Sequence, residues 1–211
     1  MTREQLRGSG EFLDIIFHGR EERNIEYKAS LNWADTNTKT KVARSCLAMA
    51  NIADGGRIVL GVTEGPKGTF RPTGMSPQDA SSFNQDDVQA LVNSFADPAI
   101  DLWVHRVNHN GKAFVVVRVS QFDQVPIICK KDGKQGLNKG TVYTRSRRMP
   151  ESAPVRDQTE MREILEMAVD KQMRNYVART VSWGLLRAEG PSEDPDAAAF
   201  HSERKDLEED G

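Results

Sequence analysis

Glu21-Glu-Arg-Asn-Ile-Glu-Tyr-Lys28, followed after a basic segment by Ala48-Met-Ala-Asn-Ile-Ala-Asp-Gly-Gly-Arg-Ile-Val-Leu-Gly-Val-Thr-Glu64, decides the fold of this chain. It reads as strand, helix, glycine turn, strand. Ile25 and Tyr27 alternate with Glu26 and Lys28, the period-two pattern of a half-buried strand that carries a carboxylate and an ammonium on one face. From Thr38 to Ile52, the apolar Val42, Cys46, Leu47 and Ala50 fall at helical spacing, and Lys39, Lys41 and Arg44 supply the charge. Gly55 and Gly56 end that helix where a left-handed turn is cheapest. Ile58, Val59, Leu60 and Val62 then form a buried strand, with Glu64 just past its end.

Outward from this centre, Glu11 to Phe17 is a heavily apolar helical segment, and residues 1–20 form an N-terminal helical unit. Residues 65 to 84, rich in Gly, Pro, Ser and Thr, read as a loop without regular structure. Asn84 caps an amphipathic helix with Asp86 and Asp87 in its first turn, ended by Pro98. Leu102–Val107 and Ala113–Val119 flank Asn108-His-Asn-Gly111, a hairpin signal. Val125–Cys129 and Thr141–Arg145 read as further strands joined by a polar segment from Lys130 to Gly136. A long helix is expected over 157–183 on the spacing of Met161, Ile164, Leu165, Ala168, Met173 and Val177. The result is an α+β fold with a mixed sheet flanked by helices. Its core spans 21–150, a C-terminal long helix that packs on that core or on a partner spans 151–188, and an acidic, disordered tail spans 189–211.

The net charge of −2 hides an asymmetry. Residues 189–211 carry nine acidic and two basic side chains, which leaves +5 for residues 1–188. A basic body suits a polyanion, and the tail reads as a solubilising end. No apolar run approaches the ~20 residues that cross a bilayer, and the N-terminus lacks a signal-peptide core, so a cytoplasmic protein without membrane contact is expected. Cys46 and Cys129 show no metal or redox spacing, and His18, His105, His109 and His201 form no ligand pair, so no zinc is expected. The absence of GxxxxGK[ST] and GxGxxG argues against a nucleotide cofactor.

Two constellations carry chemistry. If the first strand lies beside the strand ending at Val62, Glu21, Glu26 and Glu64 converge, and such a cluster would hold magnesium or manganese. Lys28, on the face of Glu26, is then placed to stabilise charge on a phosphoryl transition state. The plainer reading makes Glu26 and Lys28 a solvated pair, Glu21 and Glu22 surface charges, and Glu64 a turn residue. The second constellation is basic: Lys39, Lys41 and Arg44 on the helix, and Arg145, Arg147 and Arg148 beside Tyr143 at the last strand. Together they would grip phosphates and stack a base, although a solvated helix face explains the first three equally well.

Glu-x4-Glu-Tyr-Lys, Ala-x-Ala-Asn-x-x-Asp-Gly-Gly, Ile-Val-Leu-Gly-Val and Gly-x-Val-Tyr-x-Arg, in that order, resemble the Alba-like nucleic-acid-binding domain of the Schlafen family across about Glu21 to Ser146. The resemblance implies the same α+β core lobe. Glu21, Glu26 and Lys28 match the first two acids and the lysine of the RNA-cleaving members, and Glu64 stands where their third acid is Asp. That substitution lengthens one ligand by a methylene. The loop before Gly55-Gly56 is one residue longer than usual, and the family's zinc-binding cluster has no counterpart. The resemblance implies a metal-dependent endoribonuclease acting on structured RNA such as tRNA, and a homodimer, because the animal members are similar to two such lobes fused around an RNA groove. Two alternatives stand beside it. One is a non-catalytic DNA- or RNA-binding regulator using the same basic face; the other is a protein-interaction module assembled by the long helix.

Overall fold

The computed structural model describes residues 3–147 and 150–184, with side chains from Gly10 onward. In chain order the elements are α1 (Arg3–Phe17), β1 (Ile25–Lys28), α2 (Thr36–Ala50), β2 (Gly56–Leu60), β3 (Val62–Glu64), a 3-10 turn (Pro66–Gly68), β4 (Phe70–Pro72), α3 (Pro77–Ser82) and α4 (Gln85–Asn93). They continue with β5 (Ala96–Asp97), β6 (Leu102–His109), β7 (Lys112–Val119), β8 (Ile128–Cys129), β9 (Tyr143–Arg145), β10 (Ser152–Pro154) and α5 (Gln158–Ser182). The expected α+β architecture is present.

The main sheet has the strand order β1-β2-β7-β6. β1 and β2 are parallel, with Glu26 opposite Ile58, and α2 makes the connection between them. β7 runs antiparallel to both β2 and β6. Strand alternation divides the sheet's side chains between two cores. Ile58, Leu60, Val115, Val117 and Val119 pack with the α2 residues Val42, Cys46 and Leu47. Ile25, Tyr27, Val59, Phe114 and Val116 pack with Phe12 and Ile16 of α1.

Local chemistry sets the element ends. Asp35 caps α2 by accepting from the Thr38 N–H at 2.8 Å, and Asn84 caps α4 through the Asp86 and Asp87 N–H groups. Between α2 and β2, Gly55 has φ +68° and passes so close to β7 that a Cβ would lie 2.1 Å from the Val119 carbonyl oxygen. Only glycine meets both conditions. The β6–β7 turn uses Asn110 and Gly111 at φ 48° and 73°, the left-handed pair of a two-residue hairpin.

Two expectations change. Residues 65–84 are not an unstructured loop, because β4 pairs antiparallel with β3 and Ser76 caps α3. The strand read as continuous to Val62 breaks at Gly61, φ +100°, so Glu64 lies within β3 rather than in a loop. Beyond residue 150, β10 pairs with β9, and Ile164 and Ala168 of α5 join the α2-side core. The chain divides into units Met1–Lys171 and Gln172–Gly211. The expected acidic tail, 189–211, lies outside the described residues. Among the described residues, no helix is long and apolar enough to cross a membrane.

Candidate nucleic-acid interface

β1 turns Glu26 away from the α1 core and toward α2. There the carboxylate is buried, and each of its oxygens has two partners. Oε1 accepts from Lys28 Nζ and from Ser45 Oγ at 3.0 Å, while Oε2 accepts from Arg145 Nη1 at 3.1 Å and Ser152 Oγ at 3.3 Å. Burial opposes the charge, but the cations of Lys28 and Arg145 overcome it and hold the carboxyl below the ordinary range. Glu26 is therefore an ionised group with both lone-pair sets occupied.

Arg145 is the other half of this network. Its side chain is 1% exposed and donates three further bonds at 3.1–3.2 Å, to the backbone carbonyls of Glu22, Arg23 and Ile25. Arg23 returns the contact by donating Nε to the Arg145 carbonyl at 2.8 Å, and pairs with Glu163 of α5, which also receives Arg147. Arg145 thus ties β9 to the entry of β1. It is not available to a phosphate, which corrects the expectation drawn from the three clustered arginines. Tyr143 is likewise buried: its hydroxyl donates to the Gly136 carbonyl at 2.6 Å and accepts from the Asn138 N–H at 2.8 Å, so it presents no stacking face. Arg147 is exposed, and Arg148 lies outside the described residues.

The carboxylates do not assemble as expected. Glu21 accepts the Tyr27 N–H at 2.8 Å, and burial raises its pKa against that bond. Glu64 is exposed on β3, on the face it shares with Val62. Val62 packs in the α1-side core, whereas Glu26 points to α2, so Glu64 and Glu26 belong to opposite faces. Among the described residues, no group of three His, Cys, Asp or Glu side chains is placed to hold a metal ion. Glu26, the most buried of these carboxylates, is already paired with two cations, Lys28 and Arg145. Cys46 and Cys129 are buried free thiols.

A basic surface lies one turn of α2 away. Asn37, Lys41 and Arg44 share a helix face at i, i+4 and i+7. Gln135 sits across that face, donating Nε2 to Asn37 Oδ1 at 3.2 Å and accepting Arg44 Nη1 on its carbonyl at 2.8 Å. Gln135 belongs to a loop closed at its base by the Cys129 N–H to Thr141 carbonyl bond, 2.9 Å, and pinned inside by the Tyr143 hydroxyl. Lys130, Lys131, Lys134 and Lys139 are exposed on this loop, with Lys131 Nζ over the Phe95 ring at 4.3 Å, and Lys41 is exposed on α2. Lys39 is half-buried and lines an open cleft with Trp33, Asp87 and Leu91. Ser45 Oγ lies 3.0 Å from Glu26 Oε1 and 3.1 Å from the Lys41 carbonyl, so its single proton is shared between the carboxylate and the α2 backbone.

The loop lysines are not among the sequence candidates. Their signal is four lysines in ten residues, hidden by the reading of 130–136 as a connector.

Among solved structures, the chain is similar to the DIP2311 protein from Corynebacterium diphtheriae, with 18% identity and a TM-score of 0.47 over 76% of this chain, which spans 28% of that one. It is also similar to the N-terminal domain of a RecG-related protein from Nitrosomonas europaea, with 26% identity and a TM-score of 0.41 over 71% of this chain and 95% of that one. No curated protein matches the chain. The family model described as Schlafen, AlbA_2 matches residues 21–154. That match takes in β1, α2, the main sheet and β9–β10, and by it the chain belongs to the Schlafen AlbA_2 family.

Proposed function

We propose that this domain binds nucleic acid through the lysine surface formed by α2 and the 130–140 loop, without cleaving it. The observation that carries this reading is the junction of Gln135 with Asn37 and Arg44, which packs the lysine-bearing loop against the face of α2 that also carries Lys41. Several exposed ammonium groups on one face suit a phosphate backbone, and binding by such a face weakens steeply with salt. Family membership supports the same partner class. A homodimer belongs to this reading, since a second lobe would extend the basic face.

Metal-dependent cleavage of structured RNA is the second reading. It is favoured by one observation: Glu21, Glu26 and Lys28 lie within electrostatic reach of one another at the end of β1. A direct test incubates the protein with total tRNA and with duplex DNA in magnesium, manganese or EDTA, followed by denaturing gels and gel shifts. Intact nucleic acid under every condition, with a salt-sensitive shift, is the expected result. Metal-dependent RNA fragments that vanish in Glu26→Gln would replace this reading with the nuclease.

A further inference from the structure

The outer edge of the main sheet is closed along one half and open along the other. β6 is the last strand in the order β1-β2-β7-β6. Its bonded pairs with β7 fall at odd residues, continuing the 2.9 Å bond from the Ser120 N–H to the Asp101 carbonyl, so the N–H and C=O groups of Leu102, Val104, Arg106 and Asn108 point outward. α4 covers the start of this edge with a row of side-chain amides at i, i+4 and i+8. Asn93 accepts the Ile100 N–H at 2.7 Å, and Gln89 donates to the Ile100 carbonyl at 2.6 Å. Gln85 donates to the Leu102 carbonyl at 2.9 Å and accepts the Val104 N–H at 2.7 Å. The row stops there, because Gln85 is the first residue of α4.

Beyond Gln85, the Val104 carbonyl and both backbone groups of Arg106 and Asn108 have no hydrogen-bond partner among the described residues, and Arg106 and Asn108 are exposed. Folded proteins ordinarily cover such an edge, because it is a template for another strand. Two aromatics stand on its α1 side: Trp103, 45% exposed, and Phe17, 51% exposed with its ring centroid 5.3 Å from that of His109. Hairpin residues 102–119 include Arg106, Lys112, Arg118, His105 and His109, and no acid. A second copy of β6 would bring cations against cations, so the charge selects an acidic strand.

We infer that the open half of β6 is a docking edge for an extended acidic segment of a partner protein, which adds antiparallel as a fifth strand to the four of the main sheet. Backbone bonds at Val104, Arg106 and Asn108 hold the segment, as the Gln85 amide holds Leu102 and Val104. Guest residues that pair with Arg106 and Asn108 carry their side chains on the α2 side, where Arg106 favours a carboxylate. The alternate residues fall on the α1 side between Trp103 and Phe17 and favour apolar side chains. This docking edge does not depend on nucleic-acid binding.

The probe is an acetylated, amidated hexapeptide of alternating glutamate and valine, titrated into the full chain and followed by anisotropy of the labelled peptide and by NMR amide exchange. Binding is expected, with exchange at the Arg106 and Asn108 amides slowed about tenfold or more and the Val104 amide, already held by Gln85, little changed. N-methylation of the glutamate nitrogens, which face β6 in this pairing, is expected to abolish binding, and N-methylation of the valine nitrogens to preserve it. A lysine–valine peptide is expected not to bind. In the protein, Asn108→Pro removes a free N–H on an edge strand, so the melting temperature should hold while peptide affinity falls about tenfold or more. No binding of the acidic peptide, binding that leaves the Arg106 and Asn108 amides exchanging freely, or indifference to glutamate N-methylation would overturn the inference. So would protection of the same two amides by raised protein concentration alone, which would make the edge a contact between copies, or by tRNA in place of the peptide.

Discussion

Replacing Arg145 with alanine tests whether it braces the fold or reaches for a ligand. The side chain donates one bond to the Glu26 carboxylate and three to the carbonyls of Glu22, Arg23 and Ile25, all at 3.1–3.2 Å. Its removal leaves Glu26 buried with Lys28 as its remaining cation and strips three carbonyls of a donor. Breaking a buried pair in this way costs about 3–5 kcal/mol, a large part of the 5–15 kcal/mol or so that holds a domain together. For a chain of this size that corresponds to a fall in melting temperature of about 6–20 °C. The assay is urea unfolding followed by tryptophan fluorescence, with thermal unfolding in parallel. The double variant Glu26→Gln with Arg145→Met should lose less than the sum of the two single changes, because the orphaned charge is gone. Stability unchanged within 0.5 kcal/mol or so, together with weakened nucleic-acid binding, would show Arg145 to be a phosphate ligand and refute this reasoning.

Three further outcomes follow from the same geometry. Asn51, fully buried, exchanges three hydrogen bonds of 2.8–2.9 Å with Ile127 and Tyr143, so Asn51→Ala should cost about 3 kcal/mol in urea unfolding. Gly55→Ala should cost about 2 kcal/mol or more, because φ is +68° and the new Cβ would meet the Val119 carbonyl; a shift in midpoint at unchanged slope would show it. The pH dependence separates the two glutamates. The lowered Glu26 carboxyl contributes stability that is complete above its ordinary value of 4.5 and lost as pH falls below it, so Glu26→Gln should remove that acid-side loss. Glu21 is raised, so its contribution is complete below 4.5 and lost as pH rises through its elevated value; Glu21→Gln should stabilise the protein near neutrality. Unfolding midpoints measured from pH 7 to pH 3 decide both signs.

Much of the architecture is legible in residue order, for identifiable reasons. The β1-α2-β2 unit and the β6–β7 hairpin are set by local periodicity and by Gly55, Asn110 and Gly111, all of which act over a few residues. The site is less legible because its defining contacts are remote. Arg145 looks like one of three surface arginines until Glu26, 119 positions earlier, is placed against it. The loop lysines become part of a surface only through Gln135 and Asn37, 98 positions apart. Glu64 is hard to place for a local reason: Gly61 breaks the strand, and the face of β3 is then set by burial of Val62 against α1. Asn51 in the Ala-Asn-Ile-Ala-Asp-Gly-Gly run, part of the family resemblance, proves to be a buried brace between the β8 and β9 segments.

The lysine surface is tested most directly by the salt dependence of binding. Fluorescence anisotropy of labelled tRNA and of labelled duplex DNA, measured from low to high salt, should give a steep linear fall of log affinity with log salt for the wild-type protein. Lys41→Ala with Lys134→Ala should lower that slope by about 2, roughly one for each phosphate no longer neutralised. A slope unchanged by the double variant, with affinity intact on both nucleic acids, would contradict the account.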